Sequence, residues 1–314
     1  MTELARHVAE GLARTPKALS SMYFYDDAGS RLFQQIMALP EYYPTRAEFA
    51  IFREHGAAIG AALGATAGGP FTLVELGAGD GAKTQLLLRE LLAADSDFTY
   101  APVDISAGAM GGLVAALARE LPALRVVPVV ESYAAALKQL RTQPGRKAVL
   151  FLGSNIGNFG PVERLDFLRQ LAAPLGADDR LLIGFDLQKD PRRIRAAYDD
   201  AQGITAAFNL NLLTRLNREL GADFDLARWQ HYTDYEPLTG AVRSFLVSTE
   251  AQAVCFAALE ETVAFAAWEV IHTENSYKFT RPQIEVLAAE AGLRVVDFFT
   301  DGASDFADAV LAAR

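Results

Sequence analysis

Phe71-Thr72-Leu73-Val74-Glu75-Leu76-Gly77-Ala78-Gly79-Asp80-Gly81 is the stretch that decides the fold. A short apolar run ends in glycines at alternate positions, and a helical pattern follows. Runs of this kind, buried on both faces, belong to parallel sheets. Glycines at the strand end let the backbone turn tightly and approach a ligand closely, while the next helix offers unpaired N–H groups. Working outward, four more runs repeat the rhythm: FTYAPVD ending at Asp104, LRVVPVV ending at Val130, KAVLFLG ending at Gly153 and RLLIGFD ending at Asp186. Each is separated from the next by a candidate helix, which reads as βαβ units of a doubly wound sheet. Ligands of such a sheet bind at the carboxyl ends of its strands.

Before about residue 62 the pattern is helical, with Leu32, Phe33, Ile36 and Met37 at helix spacing after Asp27 and Ser30, either of which can cap. Between two such helices lies the loop Leu39-Pro40-Glu41-Tyr42-Tyr43-Pro44-Thr45-Arg46, fixed by its prolines. After Asp186 a long helical pattern runs through Tyr198, Phe208, Leu212 and Leu216 to Leu220, where Gly221 ends it. HYTDY, AVRSFLVSTEAQAVCFAAL and ETVAFAAWEVIHTE then alternate polar and apolar residues, as antiparallel strands with one wet face do. From Pro282 a helix and two strands, RVVDFFTD and FADAVLAA, return to the first sheet. The predicted organisation is α/β: a Rossmann-like domain over 62–189 and 281–314, and a second, inserted α+β lobe over 190–280 joined by the N-terminal helices of 1–61.

Of the 314 residues, 51% are hydrophobic and 22% charged, which suits a folded core rather than a disordered or fibrous chain. A net charge of -10, from 29 basic and 39 acidic residues, argues against a nucleic-acid groove, which needs a basic surface. Cys255, the single cysteine, cannot form an internal disulfide and reads as a buried strand thiol. The amino terminus carries charges throughout and lacks the apolar core of a secretory signal, and no stretch reaches the roughly 18 apolar residues of a membrane span. A monomer of the reducing cytoplasm, with no nucleic-acid or membrane partner, is the expectation.

Four places carry candidate chemistry. The glycine loop, alone, fits NAD, S-adenosylmethionine (SAM) or a purely structural turn. Asp104 ends the second run, where a carboxylate can accept both hydroxyls of a ribose or cap the next helix. Glu75 ahead of the glycines, and the lack of G-x-G-x-x-G spacing, favour SAM. Gly153-Ser154-Asn155-Ile156-Gly157-Asn158 closes the fourth run with two amides suited to a small polar substrate, though turn chemistry explains its glycines. In His272-Thr273-Glu274-Asn275-Ser276 an extended backbone aims Glu274 and Ser276 the same way. Such a pair suits an imidazole, the carboxylate accepting from one ring N–H and the hydroxyl addressing the other nitrogen; a solvated strand edge is the alternative. His7, His55, His231 and His272 show no metal-ligand spacing.

Together these pieces resemble the L-histidine Nα-methyltransferase family, enzymes that use SAM to make hercynine (trimethylhistidine) for ergothioneine. The resemblance rests on Tyr23-Phe24-Tyr25-Asp26, Gly29-Ser30-Arg31-Leu32-Phe33, the 39–46 loop, Phe151-Leu152-Gly153-Ser154 with Ile156-Gly157-Asn158, Ala197-Tyr198-Asp199-Asp200, Phe208-Asn209, Asn217-Arg218-Glu219-Leu220, and Thr273-Glu274-Asn275-Ser276 with Lys278-Phe279. It implies a class I SAM methyltransferase domain with a substrate-binding lobe. It implies that Asn158 and Tyr198 hold the substrate carboxylate, that Glu274 and Ser276 hold the imidazole, that Tyr42 approaches the ring through water, and that Tyr25 lies beside the amine. Gly77 and Gly79 would line the methionine part of SAM and Asp104 the ribose; Glu75, Lys83 and Ser132-Tyr133 complete the cofactor set. Two positions depart from the family pattern. Ser132-Tyr133 replaces an Asp-Phe pair against adenine, which makes Glu131 a candidate acceptor, and Ser244 stands where a methionine often lines the imidazole pocket. Three alternatives stay open: another amino-acid substrate such as tryptophan or a histidine derivative, a non-catalytic binding protein, and a nicotinamide dehydrogenase.

Overall fold

The computed structural model describes residues 2–65, 68–142 and 144–314. In chain order its elements are α1 (Glu3–Leu12), β1 (Lys17–Ala18), α2 (Asp27–Ala38), α3 (Tyr43–Ala62), β2 (Phe71–Leu76), α4 (Thr84–Ala93), β3 (Phe98–Asp104), α5 (Ala107–Glu120), β4 (Val129–Val130), α6 (Tyr133–Thr142), β5 (Arg146–Phe151), α7 (Pro161–Ala172) and β6 (Arg180–Asp186). Then come α8 (Pro191–Ala196), α9 (Ile204–Leu220), β7 (Trp229–Glu236), β8 (Ala241–Ser248), β9 (Gln252–Phe256), β10 (Glu261–Phe265), β11 (Val270–Tyr277), α10 (Arg281–Glu290), β12 (Leu293–Thr300) and β13 (Phe306–Ala313).

These elements form two compact units, Met1–Tyr43 with Lys189–Tyr277, and Pro44–Gln188 with Lys278–Arg314. The second unit carries a seven-stranded sheet in the order β12-β13-β6-β5-β2-β3-β4. Strands β2 to β6 pair in parallel, and β13 lies antiparallel to both β6 and β12. The chain leaves β2 first toward β3 and β4 and later toward β5 and β6. Strand order therefore reverses at β2, and the glycine loop leaves the sheet at that switch point. The third apolar run yields only the two residues of β4 and an isolated bridge from Val126 to Tyr100. Pro128 cannot donate to a ladder, which confines the run to the sheet edge.

The boundaries differ from expectation by a residue at Lys189, by three residues at 278–280 and by a whole helix before the sheet. Residues 44–61, predicted with the inserted lobe, belong to the sheet unit, because Ala47, Ile51, Phe52 and Ile59 of α3 share one buried cluster with Leu73, Leu87, Tyr100, Leu113 and Leu150. The helical period of α3 was legible, but the partner of its apolar face was not.

In the first unit, α9 packs Phe208, Leu212, Leu213 and Leu216 against Leu4, Val8, Phe24 and Ile36 of the N-terminal segments and against Leu246 and Ile271 of a four-stranded sheet, β1-β11-β8-β7. Strand β8 alternates as predicted, burying Val242, Ser244, Leu246 and Ser248. The long stretch read as one strand divides into β8 and β9, and the next into β10 and β11, where Trp268 takes a left-handed turn at φ 68°. Strands β9 and β10 pair separately, and Cys255 is exposed beside the Thr262 hydroxyl rather than buried, since alternation sends Val254 and Phe256 inward. The cap of α2 is Asp26, whose carboxylate accepts from Gly29 N at 2.8 Å; Asp27 is already helical. Tyr198 precedes α9 rather than lying within it, because Asp200 accepts from Ile204 and Thr205 N and so starts that helix.

Glu75 is a polar group inside the parallel sheet. Its two carboxylate oxygens accept from Thr84 Oγ1 at 2.6 Å and from the Tyr100 hydroxyl. Burial pushes its pKa up to about 7 against the pull of those two hydroxyls. Between 4.5 and 7 the folded chain holds a proton there that the unfolded chain has released. This group's contribution to stability is therefore expected to decline as pH rises through that window. Glu75→Gln should remove that slope, as measured by denaturant unfolding of both proteins at about pH 5 and about pH 8. A second outcome concerns close packing: a Cβ on Gly184 would sit 2.5 Å from Glu48 Oε1 and 3.0 Å from the Phe306 ring. Gly184→Ala is expected to destabilise this unit by about 1–3 kcal/mol, read as an earlier unfolding midpoint at unchanged denaturant slope.

Candidate active site

In the sheet unit the loop after β2 turns on Gly77 (φ 76°) and Gly79 (φ 55°), a left-handed region that L side chains seldom enter. Gly77 and Ala78 N donate to Val103 O, and Gly79 N donates to Asp104 Oδ2 at 3.0 Å. The other Asp104 oxygen accepts from Ser106 N at 2.9 Å, and Ser106, not Asp104, caps α5. Asp104 is thus held as a two-oxygen acceptor beside the glycine loop. A Cβ on Gly77 would lie 2.5 Å from the Tyr133 hydroxyl, so Tyr133 closes over that glycine, whereas nothing lies within 4 Å of a Cβ on Gly79. Burial raises the Tyr133 pKa to about 12, with the Asp104 and Glu75 charges adding to it, and the phenol stays protonated. Ser132 is exposed and its hydroxyl accepts from Ala135 N, starting α6; Glu131 N donates to Asp104 O.

Two members of the expected cofactor set are engaged by protein groups. Glu75 is buried with both oxygens bonded to Thr84 and Tyr100, so its role is to support the loop from below. Lys83, at the start of α4, makes an ion pair with Glu48 of α3. Burial works against the Lys83 charge, yet the adjacent Glu48 carboxylate holds its pKa up. The other Glu48 oxygen accepts from Gly153 N at 2.8 Å, at the end of β5. One buried carboxylate therefore ties the glycine-loop helix to the β5 loop. Sequence reading missed Glu48, because nothing in a helix at residues 43–62 announces which strand ends it will meet. Asp308 of β13, also missed, is fully buried nearby, and burial with the Glu48 charge drives its pKa well up.

Beyond β5, Ser154 adopts φ 56° and accepts from Asp186 N at 2.9 Å, while Gly157 N donates to Ser154 O. A serine held left-handed at a strand's carboxyl end is local strain of the kind that functional loops store. Asn158 ends the single-turn helix that follows, half-buried.

The first unit holds the remaining candidates. Tyr198 is buried, its hydroxyl 2.8 Å from Ser276 Oγ and its carbonyl accepting from Thr233 Oγ1. The residues expected at opposite ends of the substrate, Tyr198 and Ser276, are thus bonded to one another. Cross-strand register pairs Glu274 with Ser244 and Ser244 with Thr233, and it pairs Ser276 with Val242. Glu274, Ser276, Ser244 and Thr233 consequently share the sheet face that meets Tyr198. Ser244 is buried. The Tyr42 ring meets Tyr198 (centroids 6.2 Å) and Phe33 (6.1 Å), and Tyr25, about half exposed, meets Phe33 (5.5 Å) and Phe208 (5.6 Å) edge-on. An aromatic row thus runs from Tyr25 to the Tyr198–Ser276 bond. His272 stands apart, its Nε2 3.1 Å from Asn275 Oδ1 and its ring against Phe245.

Sequence comparison relates this chain to known proteins. A family profile described as "Histidine-specific methyltransferase, SAM-dependent" matches residues 4–313. Histidine N-alpha-methyltransferase of Mycolicibacterium smegmatis is 44% identical over 96% of this chain and 92% of its own length, and that of Mycobacterium tuberculosis is 41% identical with the same coverage. Ergothioneine biosynthesis protein 1 of Neurospora crassa is 29% identical over 91% of this chain and 32% of its own length. A glycine loop at the switch point of a parallel sheet, an acceptor carboxylate beside it, and near-complete coverage at this identity lead to one assignment: the chain belongs to the histidine-specific, SAM-dependent methyltransferase family.

Proposed function

We propose that this N-methyltransferase acts on the α-amino nitrogen of free L-histidine and adds three methyl groups, giving hercynine. The observation that carries the substrate reading is the shared face of Glu274 and Ser276, with Ser276 bonded to Tyr198. A carboxylate and a hydroxyl side by side suit the two nitrogens of an imidazole. In the first unit Tyr198 is the group for the substrate carboxylate; the same role for Asn158 is what the family resemblance implies. The names of the mycobacterial relatives and of the ergothioneine biosynthesis protein support histidine and the trimethylated product.

The residues of the sheet unit fit SAM. Gly77 and Gly79 leave backbone beside the methionine moiety, Asp104 can accept from the ribose hydroxyls, Lys83 sits at the start of α4, and Tyr133 with Ser132 flanks the place for adenine. When bound, SAM supplies an electrophilic methyl on a sulfonium. The chain's own task is then placement: its residues would hold the substrate amine, neutral after loss of an ammonium proton to water, oriented toward the group that SAM would supply. Tyr25 orients the amine or passes that proton to water. A phenol titrating near 10 is too weak a base to do more at neutral pH. The faces of Tyr42 and Phe33 favour the growing cation.

Mass spectrometry of L-histidine incubated with SAM and the protein tests the whole reading; gains of one, two and three methyl groups are expected. No gain on histidine, with transfer to tryptophan instead, would replace it. That second reading has its own support, since Ser244 is small where a methionine is often found and an L-tryptophan methyltransferase of Psilocybe serbica is 27% identical over 91% of this chain. Glu274→Gln is expected to raise the KM for histidine by about 10-fold to 100-fold, the worth of a charged hydrogen bond of ~1.5–3 kcal/mol, with the KM for SAM unchanged. Tyr25→Phe should lower kcat more than it weakens histidine binding; unchanged turnover would remove Tyr25 from the mechanism.

A further inference from the structure

Strand β11 does not alternate regularly. Ile271 pairs with Leu246 and His272 with Phe245, but Glu274 pairs with Ser244, so Thr273 is an extra residue. This β-bulge has a consequence for chemistry. Ile271 is fully buried in the core with Leu246. In an unbroken strand the residues sharing its face would be Thr273 and Asn275, and Glu274 with Ser276 would face the side of His272. The inserted residue resets the count, so that Ile271 serves the core while Glu274 and Ser276 stand on the Tyr198 side.

The bulge is pinned by one hydroxyl. Thr273 Oγ1 lies 3.0 Å from Asn209 Oδ1 of α9 and 3.0 Å from Ser244 O of β8, sharing its proton between them. The Asn209 amide donates to Thr205 O at 3.1 Å, which fixes the orientation of its oxygen. Asn209 and Thr273 are 1% and 2% exposed, so both are closed off from bulk solvent. We propose that Thr273 and Asn209 are positioning residues for acceptor specificity: by locking the bulge to α9 and β8 they set the angle at which Glu274 and Ser276 meet the substrate ring. The proposal rests on the assignment of those two residues to the imidazole.

Thr273→Val removes the hydroxyl at constant shape and leaves the Asn209 oxygen unpaired, whereas Thr273→Ser keeps it. Steady-state kinetics with L-histidine and with a ring-N-methylated histidine, beside S-adenosylhomocysteine titrations, read the result. Thr273→Val is expected to raise the histidine KM about tenfold, to lower the preference for histidine over the ring-methylated analogue by a similar factor, and to leave S-adenosylhomocysteine affinity within about twofold. Thr273→Ser should restore both parameters. A merely structural Thr273 would lower the unfolding midpoint without altering the preference between the two acceptors. If Thr273→Val leaves KM and preference unchanged while Glu274→Gln raises KM, the pinning idea falls and the imidazole assignment stands; if Glu274→Gln also leaves KM unchanged, both fall. Asn209→Ala, read by the same preference, carries the test if Thr273→Val does not fold.

Discussion

The hydrogen bond from Gly79 N to Asp104 Oδ2 is the constraint on which the loops of the sheet unit turn. It joins the loop after β2 to the end of β3, at the point where strand order in the parallel sheet reverses. Because the Asp104 oxygens are fixed by backbone N–H groups, the carboxylate needs no reorganisation to accept further hydrogen bonds, and preorganised acceptors of this kind cost little on binding. Gly77 and Gly79 make the bond possible by entering left-handed backbone that other residues avoid. Below the loop the Glu75 carboxylate, closed off by Thr84 and Tyr100, holds the strand and the first turn of α4 together.

A second set of buried charges surrounds the same strand ends. Glu48 reaches from α3 to Lys83 and to Gly153 N, so the helix that the sequence seemed to offer the other lobe anchors the sheet's loops. Removing one partner of a buried ion pair leaves an uncompensated charge, which is why such clusters resist substitution even when they add little net stability. The fully buried Asp308 lies in the same field, and burial together with the Glu48 charge drives its pKa well up.

In the other unit the organising fact is a conflict of periods. The core requires Ile271 to face inward, yet Glu274 and Ser276, three and five residues further on, share its side of the sheet, where an unbroken strand would turn them to the other. A single extra residue resolves it, and α9 supplies the polar partner that fixes where the extra residue sits. The aromatic row from Tyr25 through Phe33 and Tyr42 to Tyr198 then gives that face an apolar wall with polar atoms at one end.

The sequence by itself determined the parallel sheet, the glycine loop after its first strand, the return of the last two strands, and the shared face of Glu274 and Ser276, because each is written in local spacing: alternation, apolar runs and glycine positions. Family motifs spread over nearly the whole chain gave the cofactor and the reaction type. Only the tertiary structure decided that α3 joins the sheet unit, that Cys255 faces out, that Glu75 and Lys83 are bonded to protein groups, and that a bulge at Thr273 sets which face Glu274 and Ser276 share. Those outcomes depend on which distant side chain meets a given face, as Glu48 meets Gly153 across 105 positions of chain, and no local period encodes such a meeting.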